Sequence, residues 1–299
     1  MTSDNKNAIG VIGFGIMGAQ MAVNLAKKGY TVFGYSRTQD KVEEKASEGI
    51  ISASLETIAE SCETVLLALT DGPTVSSILF EPQPNSNLLT GLATALPSGS
   101  LIIDTTTIAP QESLAIYTQC KELGVHFVDS PVSGGDIGAK NGTLTCMVGG
   151  EATAWRRAHV ILSSVGKNII HVGPPSSGQK MKAINQVAVA LGIVAMTEAL
   201  LLADELAIDR NLTIEVLQGG AAGSWALANY APRIVEGDLA PGFKASHMLK
   251  DLRIALSEKG EASLPATQAV TALFEKLVAQ YPELGNHALC KAYQAEISN

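Results

Sequence analysis

A glycine-rich turn near the start of the chain constrains the fold more than any other feature. Gly13-Phe14-Gly15-Ile16-Met17-Gly18 has the spacing G-x-G-x-x-G, follows the apolar run Ala8–Ile12 and opens a helix-like segment, Met17–Lys28. In such a unit the first glycine allows a tight turn, the second lets the backbone approach a pyrophosphate, and the third lets helix and strand pack closely. The free N–H groups at the helix start favour an anion. A purely structural glycine turn is the alternative. The motif predicts a dinucleotide site formed by Gly13, Phe14, Gly15, Ile16, Met17 and Gly18.

Short apolar runs alternate with helix-like segments through the first half of the chain. This alternation predicts a mainly parallel sheet with helices on both faces, and the early runs are apolar enough for strands buried on both sides. The predicted strands are Ala8–Ile12, Thr31–Tyr35, Thr64–Leu69, Leu101–Asp104, Val125–Asp129, Thr143–Val148 and Asn168–Val172, with helices such as Met17–Lys28 and Pro110–Leu123 between them. We therefore predict an α/β fold with a Rossmann-type dinucleotide-binding domain over residues 1–174.

The pattern changes after Gly173-Pro174-Pro175-Ser176-Ser177-Gly178, a cluster of chain-breaking residues. No convincing strand follows, and Gln179–Ile208 predicts one long helix that is apolar on nearly every face, which is typical of a buried helix. Further helices are expected to start near Leu212, Ser224, Phe243, Leu264 and His287. We predict an all-α second domain, residues 175–299, built on this long interdomain helix. Because a small bundle cannot enclose so long an apolar helix, we expect a homodimer or homotetramer to cover its exposed faces.

Composition and charge exclude several classes of function. The 299-residue chain has a formal net charge of −8, whereas a nucleic-acid-binding protein needs a basic surface. The longest apolar run, Val187–Met196, is shorter than the roughly 20 residues that a membrane-spanning helix needs. The polar start, Met1–Asn7, shows no signal peptide, and four scattered cysteines fit a reducing cytoplasm. The five histidines lack metal-ligand spacing, so no metal site is expected.

The end of the second predicted strand bears on the choice of cofactor. An Asp or Glu about 20 residues after the glycines bonds the ribose of NAD. This chain has Ser36, Arg37 and Thr38 instead, and no carboxylate precedes Asp40. Because hydroxyl and guanidinium donors suit a phosphate, we predict a preference for NADP(H), with NAD(H) as the alternative if Arg37 is only a solvated surface charge. Leu69, the last residue of the next predicted strand, Thr64–Leu69, is also assigned to the cofactor site.

Two later segments carry groups suited to chemistry on a small carboxylate. Ser133-Gly134-Gly135 follows the strand that ends at Asp129, and its hydroxyl and exposed N–H groups can cradle a carboxylate, although a flexible connector fits as well. Lys182 lies in the first turns of the long helix, where it is expected to face a cleft between the domains. A lysine near a helix N-terminus on a partly apolar helix suits general acid–base catalysis. Lys180 lies about 200° away around the helix, so the two lysines cannot both face the cleft. For Lys182, a solvated side chain is the alternative.

Five motifs in a fixed order resemble the β-hydroxyacid dehydrogenase family, which includes 3-hydroxyisobutyrate dehydrogenases, tartronate semialdehyde reductases and glyoxylate/succinic semialdehyde reductases. The resemblance covers residues from Ile9 to about Tyr293. The motifs are Gly10-Val11-Ile12-Gly13-Phe14-Gly15-Ile16-Met17-Gly18, Asp104-Thr105-Thr106-Thr107-Ile108, Asp129-Ser130-Pro131-Val132-Ser133-Gly134-Gly135, Gly178-Gln179-Lys180-Met181-Lys182-Ala183-Ile184-Asn185 and Lys250-Asp251-Leu252. Ser176 replaces the first glycine of the family's G-x-G-x-x-x-K motif.

The resemblance implies roles for the substrate-binding residues. It places the catalytic lysine at Lys182 and the substrate carboxylate on Ser133, Gly134 and Gly135. Asn185 and Gln186 follow Lys182 at i+3 and i+4, so both lie on its helix face. Either amide can hold the substrate hydroxyl, because many relatives have Asn at the second of these positions whereas this chain has Gln. A buried structural amide is the alternative for each.

Three further residues are assigned by the resemblance or by their position. Thr107 matches a cofactor contact near the nicotinamide. Lys250 matches a lysine that reaches the bound cofactor and substrate, with an ordinary Lys250–Asp251 surface pair as the alternative. Trp225 is expected to form part of the substrate pocket wall or to fill the core.

Together these features imply an NADP(H)-dependent oxidoreductase that interconverts a small β-hydroxyacid and its semialdehyde. Lys182 would exchange the proton of the substrate hydroxyl, and semialdehyde reduction is the expected direction. Imine reduction is an alternative activity, because imine reductases share the architecture, although they generally lack this lysine. A catalytically silent nucleotide-binding scaffold is the alternative outside enzymes, and such relatives typically lose the lysine as well.

Overall fold

The computed structural model describes residues 7–84 and 86–294. The chain divides into two compact units, residues 1–182 and residues 183–299. Of the segment Met1–Asn7, on which the expectation of no signal peptide rests, only Asn7 belongs to the described residues. Two apolar clusters lie in the first unit and a third lies in the second, so each unit has a core of its own.

A nine-stranded sheet forms the centre of the first unit. Its strands are β1 (Ala8–Ile12), β2 (Thr31–Tyr35), β3 (Ile50–Ser52), β4 (Thr64–Leu67), β5 (Leu101–Asp104), β6 (His126–Asp129), β7 (Val132–Ser133), β8 (Leu144–Gly149) and β9 (Gly166–Gly173). The first six are parallel in the order β3-β2-β1-β4-β5-β6, whereas β8 is antiparallel to β6 and β7 and parallel to β9. The predicted, mainly parallel Rossmann-type sheet is thus confirmed.

Burial on both faces explains why these strands are so apolar. Successive residues of a strand point to opposite faces of the sheet. In β1, Ile9 and Val11 belong to one buried cluster, while Ala8 and Ile12 belong to the other. β2 departs from this pattern because Thr31 is exposed and only its alternate residues are fully buried. The sequence missed β3 and β7, since strands of three and two residues carry no readable periodicity.

Eight α-helices and a short 3₁₀ helix (Ala46–Glu48) precede the last strand in the described part of the first unit, and capping residues define several helix starts. The α-helices are α1 (Ile16–Lys27), α2 (Asp40–Glu43), α3 (Leu55–Ser61), α4 (Gly72–Phe80), α5 (Leu92–Ala95), α6 (Pro110–Glu122), α7 (Gly135–Asn141) and α8 (Ala152–Leu162). Ser54 caps α3 by accepting the Thr57 N–H, and Asp71 caps α4 by accepting the Thr74 N–H. The predicted helices over α1 and α6 agree with the structure to within one residue at each end.

Between residues 183 and 294, the second unit consists of α-helices, one short 3₁₀ helix (Asn286–Leu289) and the loops between them. The α-helices are α9 (Ser177–Glu205), which begins in the first unit, α10 (Arg210–Gln218), α11 (Trp225–Asn229), α12 (Ala231–Val235), α13 (Ala245–Ser257), α14 (Pro265–Gln280) and α15 (Cys290–Gln294). Between residues 183 and 294 the only β pairing is an isolated bridge from Lys244 to Gly285. The prediction of an all-α domain built on a long helix is confirmed.

The long helix differs from its prediction in extent and in burial. It ends at Glu205 rather than Ile208, and Ala207 has a left-handed φ of 55° that no helix continues through. Ala190, Ile193 and Met196 are buried, but Ile184 and Leu202 are 64% and 58% exposed. The single chain therefore leaves part of this apolar helix exposed, as expected for a helix too long for one small bundle to enclose, and its burial by other copies of the chain stays a prediction.

α9 is also long and apolar enough to cross a membrane when judged by length and composition. An 18-residue window within it has a mean hydropathy of 2.0, and 39% of that window is buried. The length of the longest apolar run does not reveal this, because one polar residue such as Thr197 ends a run but barely lowers a window average. The core helix of a soluble protein has the same composition.

Candidate active site

The glycine turn joins β1 to α1 with geometry that suits a bound pyrophosphate. Gly13 has φ 101°, and a Cβ atom on it would lie 2.2 Å from the Ala68 carbonyl oxygen. A Cβ on Gly18 would lie 1.9 Å from the Gly13 oxygen, so both positions require glycine. Around Gly15, by contrast, no described atom lies within 4 Å of such a Cβ. The first turn of α1 has no acidic residue that would repel a phosphate, so the residues present fit a dinucleotide.

The side chains between these glycines point in different directions. Phe14 is buried in the core, where its ring lies against Gly34 of β2, so only its main chain is available to a ligand. Met17 is half-buried and packs on the same core cluster. Ile16 is 42% exposed, which leaves its side chain accessible at the start of α1.

The predicted phosphate-binding residues follow the carboxyl end of β2, beside the glycine turn. Gly13 N–H donates to the Tyr35 carbonyl oxygen at 2.9 Å, which joins the two segments. Arg37 and Thr38 are exposed, and the Thr38 N–H donates to Ser36 Oγ at 3.3 Å. Among residues 7–84 and 86–294, no ion pair involves Arg37. Its guanidinium is therefore accessible to an anionic ligand at this edge of the sheet.

Leu69 and Thr107 follow the neighbouring strands β4 and β5. The Leu69 N–H donates to Thr106 Oγ1 at 3.0 Å, and its side chain lies next to Gly13. The Thr106 N–H in turn donates to Asp104 Oδ1 at 2.9 Å. Thr107 itself is half-buried. The structure thus brings both predicted cofactor residues to the sheet edge that carries the glycine turn.

The segment Ser133-Gly134-Gly135 turns from β7 into α7. Val132 and Ser133 pair with Cys146 and Thr145 of β8, so the hydroxyl lies at the end of a paired strand. Gly134 has φ 130° and Gly135 has φ 63°, conformations that side-chain-bearing residues rarely adopt. Paired strand and helix therefore hold this turn on both sides, and the alternative of a flexible connector does not fit.

Lys182 lies against this same turn. Its side chain is 5% exposed, and Nζ donates to the Val132 carbonyl oxygen at 2.8 Å. Lys180, two residues earlier in α9, is exposed. The helix therefore separates the two lysines as its geometry requires, and Lys182 is the one placed beside Ser133 and its glycines.

Asn185 and Gln186 belong to a hydrogen-bonded chain in the second unit. Asn185 Nδ2 donates to Gln186 Oε1 at 2.8 Å, and Gln186 Nε2 donates to Asp251 Oδ2 at 2.7 Å. Gln186 and Asp251 are buried, whereas Asn185 is half-buried. Lys250 Nζ lies 3.3 Å from Asp251 Oδ1. The Lys250–Asp251 pair that the sequence offers as the alternative is therefore present, although Asp251, at 1% exposed, is buried rather than on the surface.

Trp225 opens α11 directly after its capping residue, Ser224. Its side chain is 44% exposed, and its ring makes an edge contact with Tyr230 at a centroid distance of 5.0 Å. The alternative of a core-filling aromatic does not fit this exposure.

Three residues of the site escaped the sequence analysis as functional positions. Asp129 accepts the N–H groups of Ser176 and Gln179 at 2.8 and 3.0 Å, and Gln179 also bonds the segment after β5. Asp251 links Gln186 to Lys250. For Asp129 the available signal was a carboxylate at the end of an otherwise apolar strand, which is costly to bury unless it serves as an acceptor. Across residues 7–84 and 86–294, no group of three or more His, Cys, Asp or Glu side chains could hold a metal ion.

Two family models cover successive parts of this chain. Residues 8–173 match the NAD binding domain of 6-phosphogluconate dehydrogenase. Residues 176–293 match the NAD-binding region of NADP-dependent 3-hydroxyisobutyrate dehydrogenase. The second match begins within one residue of the start of α9.

Individual relatives extend over nearly the whole chain. The 2-hydroxy-3-oxopropionate reductase of Escherichia coli is 36% identical over 290 residues, which is 96% of this chain and 97% of the relative. An uncharacterized oxidoreductase of Synechocystis is 37% identical over 294 residues, 97% of this chain and 99% of the relative. The solved structure of Mycobacterium tuberculosis 3-hydroxyisobutyrate dehydrogenase with L-serine is 27% identical, has a TM-score of 0.80, and covers 96% of this chain and 99% of its own. The chain therefore belongs to the β-hydroxyacid dehydrogenase family of NAD(P)-dependent oxidoreductases.

Proposed function

We propose that this protein is an NADP(H)-dependent oxidoreductase that interconverts a small β-hydroxyacid and its semialdehyde, with Lys182 as general acid and base. One observation carries the proposal: the buried Lys182 amine donates to the Val132 carbonyl oxygen at 2.8 Å, directly before Ser133-Gly134-Gly135. A group that can exchange a proton therefore lies beside donors suited to a carboxylate. The name of the Escherichia coli relative supports a semialdehyde as substrate.

The residues of the first unit divide the work between binding and proton transfer. The Ser133 hydroxyl and the main-chain N–H groups of Gly134 and Gly135 hold the substrate carboxylate. Lys182 Nζ gives its proton to the carbonyl oxygen in aldehyde reduction and takes the hydroxyl proton in oxidation. The nicotinamide, when bound, supplies or accepts the hydride. Gly13 to Gly18, Leu69 and Thr107 hold the cofactor along the carboxyl edge of the sheet.

An amide on the face of Lys182 orients the reacting oxygen, and we assign this role to Asn185. Both amide atoms of Gln186 already have partners, since Oε1 accepts from Asn185 and Nε2 donates to Asp251. Gln186 then holds Asn185 in place rather than binding substrate itself. Lys250 and Trp225 complete the proposed ligand contacts on the strength of the family motif and of the exposed Trp225 ring.

The cofactor preference follows from the end of β2. Arg37 and Thr38 are exposed there, and no carboxylate precedes Asp40 to repel a 2′-phosphate. The guanidinium supplies charge and paired donors that match a phosphate. With NADPH as the preferred cofactor, semialdehyde reduction is the working direction.

The proposal also includes the setting in which the enzyme acts. We place it in the cytoplasm as a homodimer or homotetramer, with no nucleic-acid or membrane partner. The exposed apolar residues of α9 and α10 support the oligomer, and the net charge of −8 argues against nucleic acid. The four free cysteines of the described chain fit a reducing compartment.

Replacement of Lys182 by methionine tests the assignment. Methionine keeps most of the side-chain volume but cannot exchange a proton, so kcat for a C3 to C5 semialdehyde should fall about 100-fold or more, while NADPH binding changes little. Steady-state rates on hydroxyacids and semialdehydes, with NADPH and with NADH, measure the effect. Lys180→Met is the matched control, because that lysine is exposed and two residues away.

Three results would contradict the proposal. Near-normal turnover by Lys182→Met would remove the lysine from the chemistry. Faster turnover of a cyclic imine than of any semialdehyde would favour an imine reductase. Tight NADPH binding by the wild-type protein without turnover on the whole panel would favour a silent scaffold.

A further inference from the structure

Gln179 makes hydrogen bonds to both sides of the proposed nicotinamide contact, Thr107. Its Nε2 donates to the Thr106 carbonyl oxygen at 2.8 Å, and its Oε1 accepts the Ile108 N–H at 3.2 Å. The side chain is only 1% exposed, so water cannot replace these bonds. One amide therefore fixes the main chain immediately before and after Thr107.

The same residue lies in the first turn of the helix that carries Lys182. Lys182 follows Gln179 by three positions in α9, a separation of about 4.5 Å along the helix axis at the usual rise per residue. Any shift of the Thr107 segment against Gln179 therefore changes its distance from the Lys182 amine. We infer that Gln179 is a positioning residue, which sets the Thr107 segment against Lys182 through its paired bonds to Thr106 and Ile108.

The Asp129 side chain holds the start of this helix in place. Its buried carboxylate accepts the Ser176 N–H at 2.8 Å and the Gln179 N–H at 3.0 Å. Ser176 is buried and held at φ 72°, a left-handed conformation that residues with a side chain rarely adopt. Such a conformation persists only where its surroundings over-determine it. The first turn of α9 is thus anchored to β6 because its main-chain N–H groups donate to the Asp129 carboxylate, and the Gln179 side chain then bonds the Thr107 segment.

The chemistry of the two partners explains why the residue is glutamine. Thr106 offers a carbonyl oxygen, which needs a donor, and Ile108 offers an N–H, which needs an acceptor. A side-chain amide supplies one donor and one acceptor at a fixed separation. Ionised glutamate supplies only the acceptor, and methionine of similar length supplies neither.

Two variants with a matched control test the inference, which rests on the proposed function. Gln179→Met should lower kcat about 10- to 100-fold with less than a threefold change in the Kd of NADPH, because misplacement by about 1 Å is enough for such a loss. Gln179→Glu should recover activity relative to wild type as the pH falls, since the protonated acid regains the donor for Thr106. Asn24→Leu is the control: Asn24 is a buried amide of the same unit whose Nδ2 donates to the Ala139 carbonyl oxygen at 2.6 Å.

Hydrogen–deuterium exchange gives a readout that does not depend on turnover. Peptides containing Ile108 should exchange faster in Gln179→Met than in wild type, and should be unchanged in Asn24→Leu. The inference is overturned if Gln179→Met keeps kcat within about twofold of wild type, if Asn24→Leu loses as much kcat, or if Ile108 exchange does not change. Absence of turnover in wild type, or normal turnover in Lys182→Met, would instead overturn the proposed function, so the two failures are distinguishable.

Discussion

Lys182 and Lys180 show how much the surroundings of a side chain decide its chemistry. They are two residues apart in one helix, yet Lys182 is 5% exposed and bonded to the Val132 oxygen, whereas Lys180 is exposed. Burial restricts the amine to one orientation and keeps bulk water from it, which a proton donor in a defined reaction requires. Helical geometry predicts that the two diverge, but only the contact with Val132 identifies the neighbour of the buried one.

Arg37 should determine which cofactor the enzyme prefers. Arg37→Ala removes a guanidinium that is exposed at the end of β2 and unpaired in the described ion pairs, so kcat/KM with NADPH should fall about 10-fold or more. The value with NADH should stay within about twofold, because NADH has no 2′-phosphate. Lys41→Ala, an exposed cation four residues later, serves as the control. An unchanged ratio of the two cofactors in Arg37→Ala would show that the 2′-phosphate binds elsewhere.

At the scale of elements, the loops at the carboxyl ends of the strands carry the predicted cofactor residues, whereas the strands only position these loops. The segments after β1, β2, β4 and β5 all carry predicted cofactor residues, and parallel strands bring such ends to one edge of the sheet. Side-chain acceptors hold some of these segments in place, as Thr106 does for Leu69 after β4 and Asp104 does for Thr106 after β5. These two segments are therefore held by side-chain hydrogen bonds rather than by secondary structure of their own.

Glu56 of α3 holds residues 86–88, in the loop between α4 and α5, and should do so only above acidic pH. Its Oε1 accepts from Ser86 Oγ and from the main-chain N–H groups of Asn87 and Leu88. Side-chain hydrogen bonds from Ser54 and Ser86 hold the pKa of Glu56 at about 2, below its usual 4.5. A lowered pKa in the folded state contributes stability that is full above the unfolded value and lost as the pH falls towards the folded one.

Glu56→Gln should therefore be less stable than wild type at pH 7, and the difference should shrink as the pH falls from about 4.5 to about 2. Urea unfolding of both proteins across this range measures the difference, and acid effects on other carboxylates cancel between them. Glu60→Gln is a control on the same helix, because its carboxyl has no described contact with this loop. A difference in unfolding free energy that stays constant with pH would mean that the charge of Glu56 does not hold the loop.

At the scale of the whole molecule, the net charge of −8 means that the overall field does not attract an anionic substrate or cofactor. Binding must rely on placed donors: the Arg37 guanidinium, the Lys182 amine, the start of α1 and the turn at Ser133. Because these contacts are local, salt should weaken binding only modestly compared with a protein that steers its ligand by net charge.

The exposed apolar residues of the second unit should form a contact between copies of the chain. Ile184 and Leu202 of α9 and Leu212 and Val216 of α10 are between 53% and 65% exposed. Leu202→Arg combined with Val216→Arg should shift the protein to a monomer of 31.2 kDa, as measured by light scattering after gel filtration. The control introduces the same two charges in the first unit as Val160→Arg and Ile170→Arg, which are 60% and 51% exposed. A monomeric wild type, or an oligomer that survives the Leu202 and Val216 changes, would contradict this contact.

Periodicity predicts the longer elements well and the short ones poorly. β1, β2 and β5 have the bounds that their apolar runs indicate, and α9 was predicted to within three residues at either end. β4 ends at Leu67 rather than Leu69, because the chain there leaves the sheet and the Ala68 N–H is the last to bond β1. The ends of elements depend on such long-range hydrogen bonds, which no local pattern contains.

The sequence by itself determined the family, the Rossmann-type first domain and the helical second one, and it predicted the residues suited to cofactor and proton chemistry. Glycine spacing and apolar periodicity are local properties, so they can be recognised along the chain. Only the tertiary structure decided that Asp129 and Gln179 support the helix of Lys182, that Asp251 is buried beneath Gln186, and that one side of α9 stays exposed. The hydrogen bonds of Asp129, Gln179 and Asp251 join residues 47 to 73 positions apart in the sequence. Burial makes these bonds important for stability, and it exists only after the strands and helices have packed.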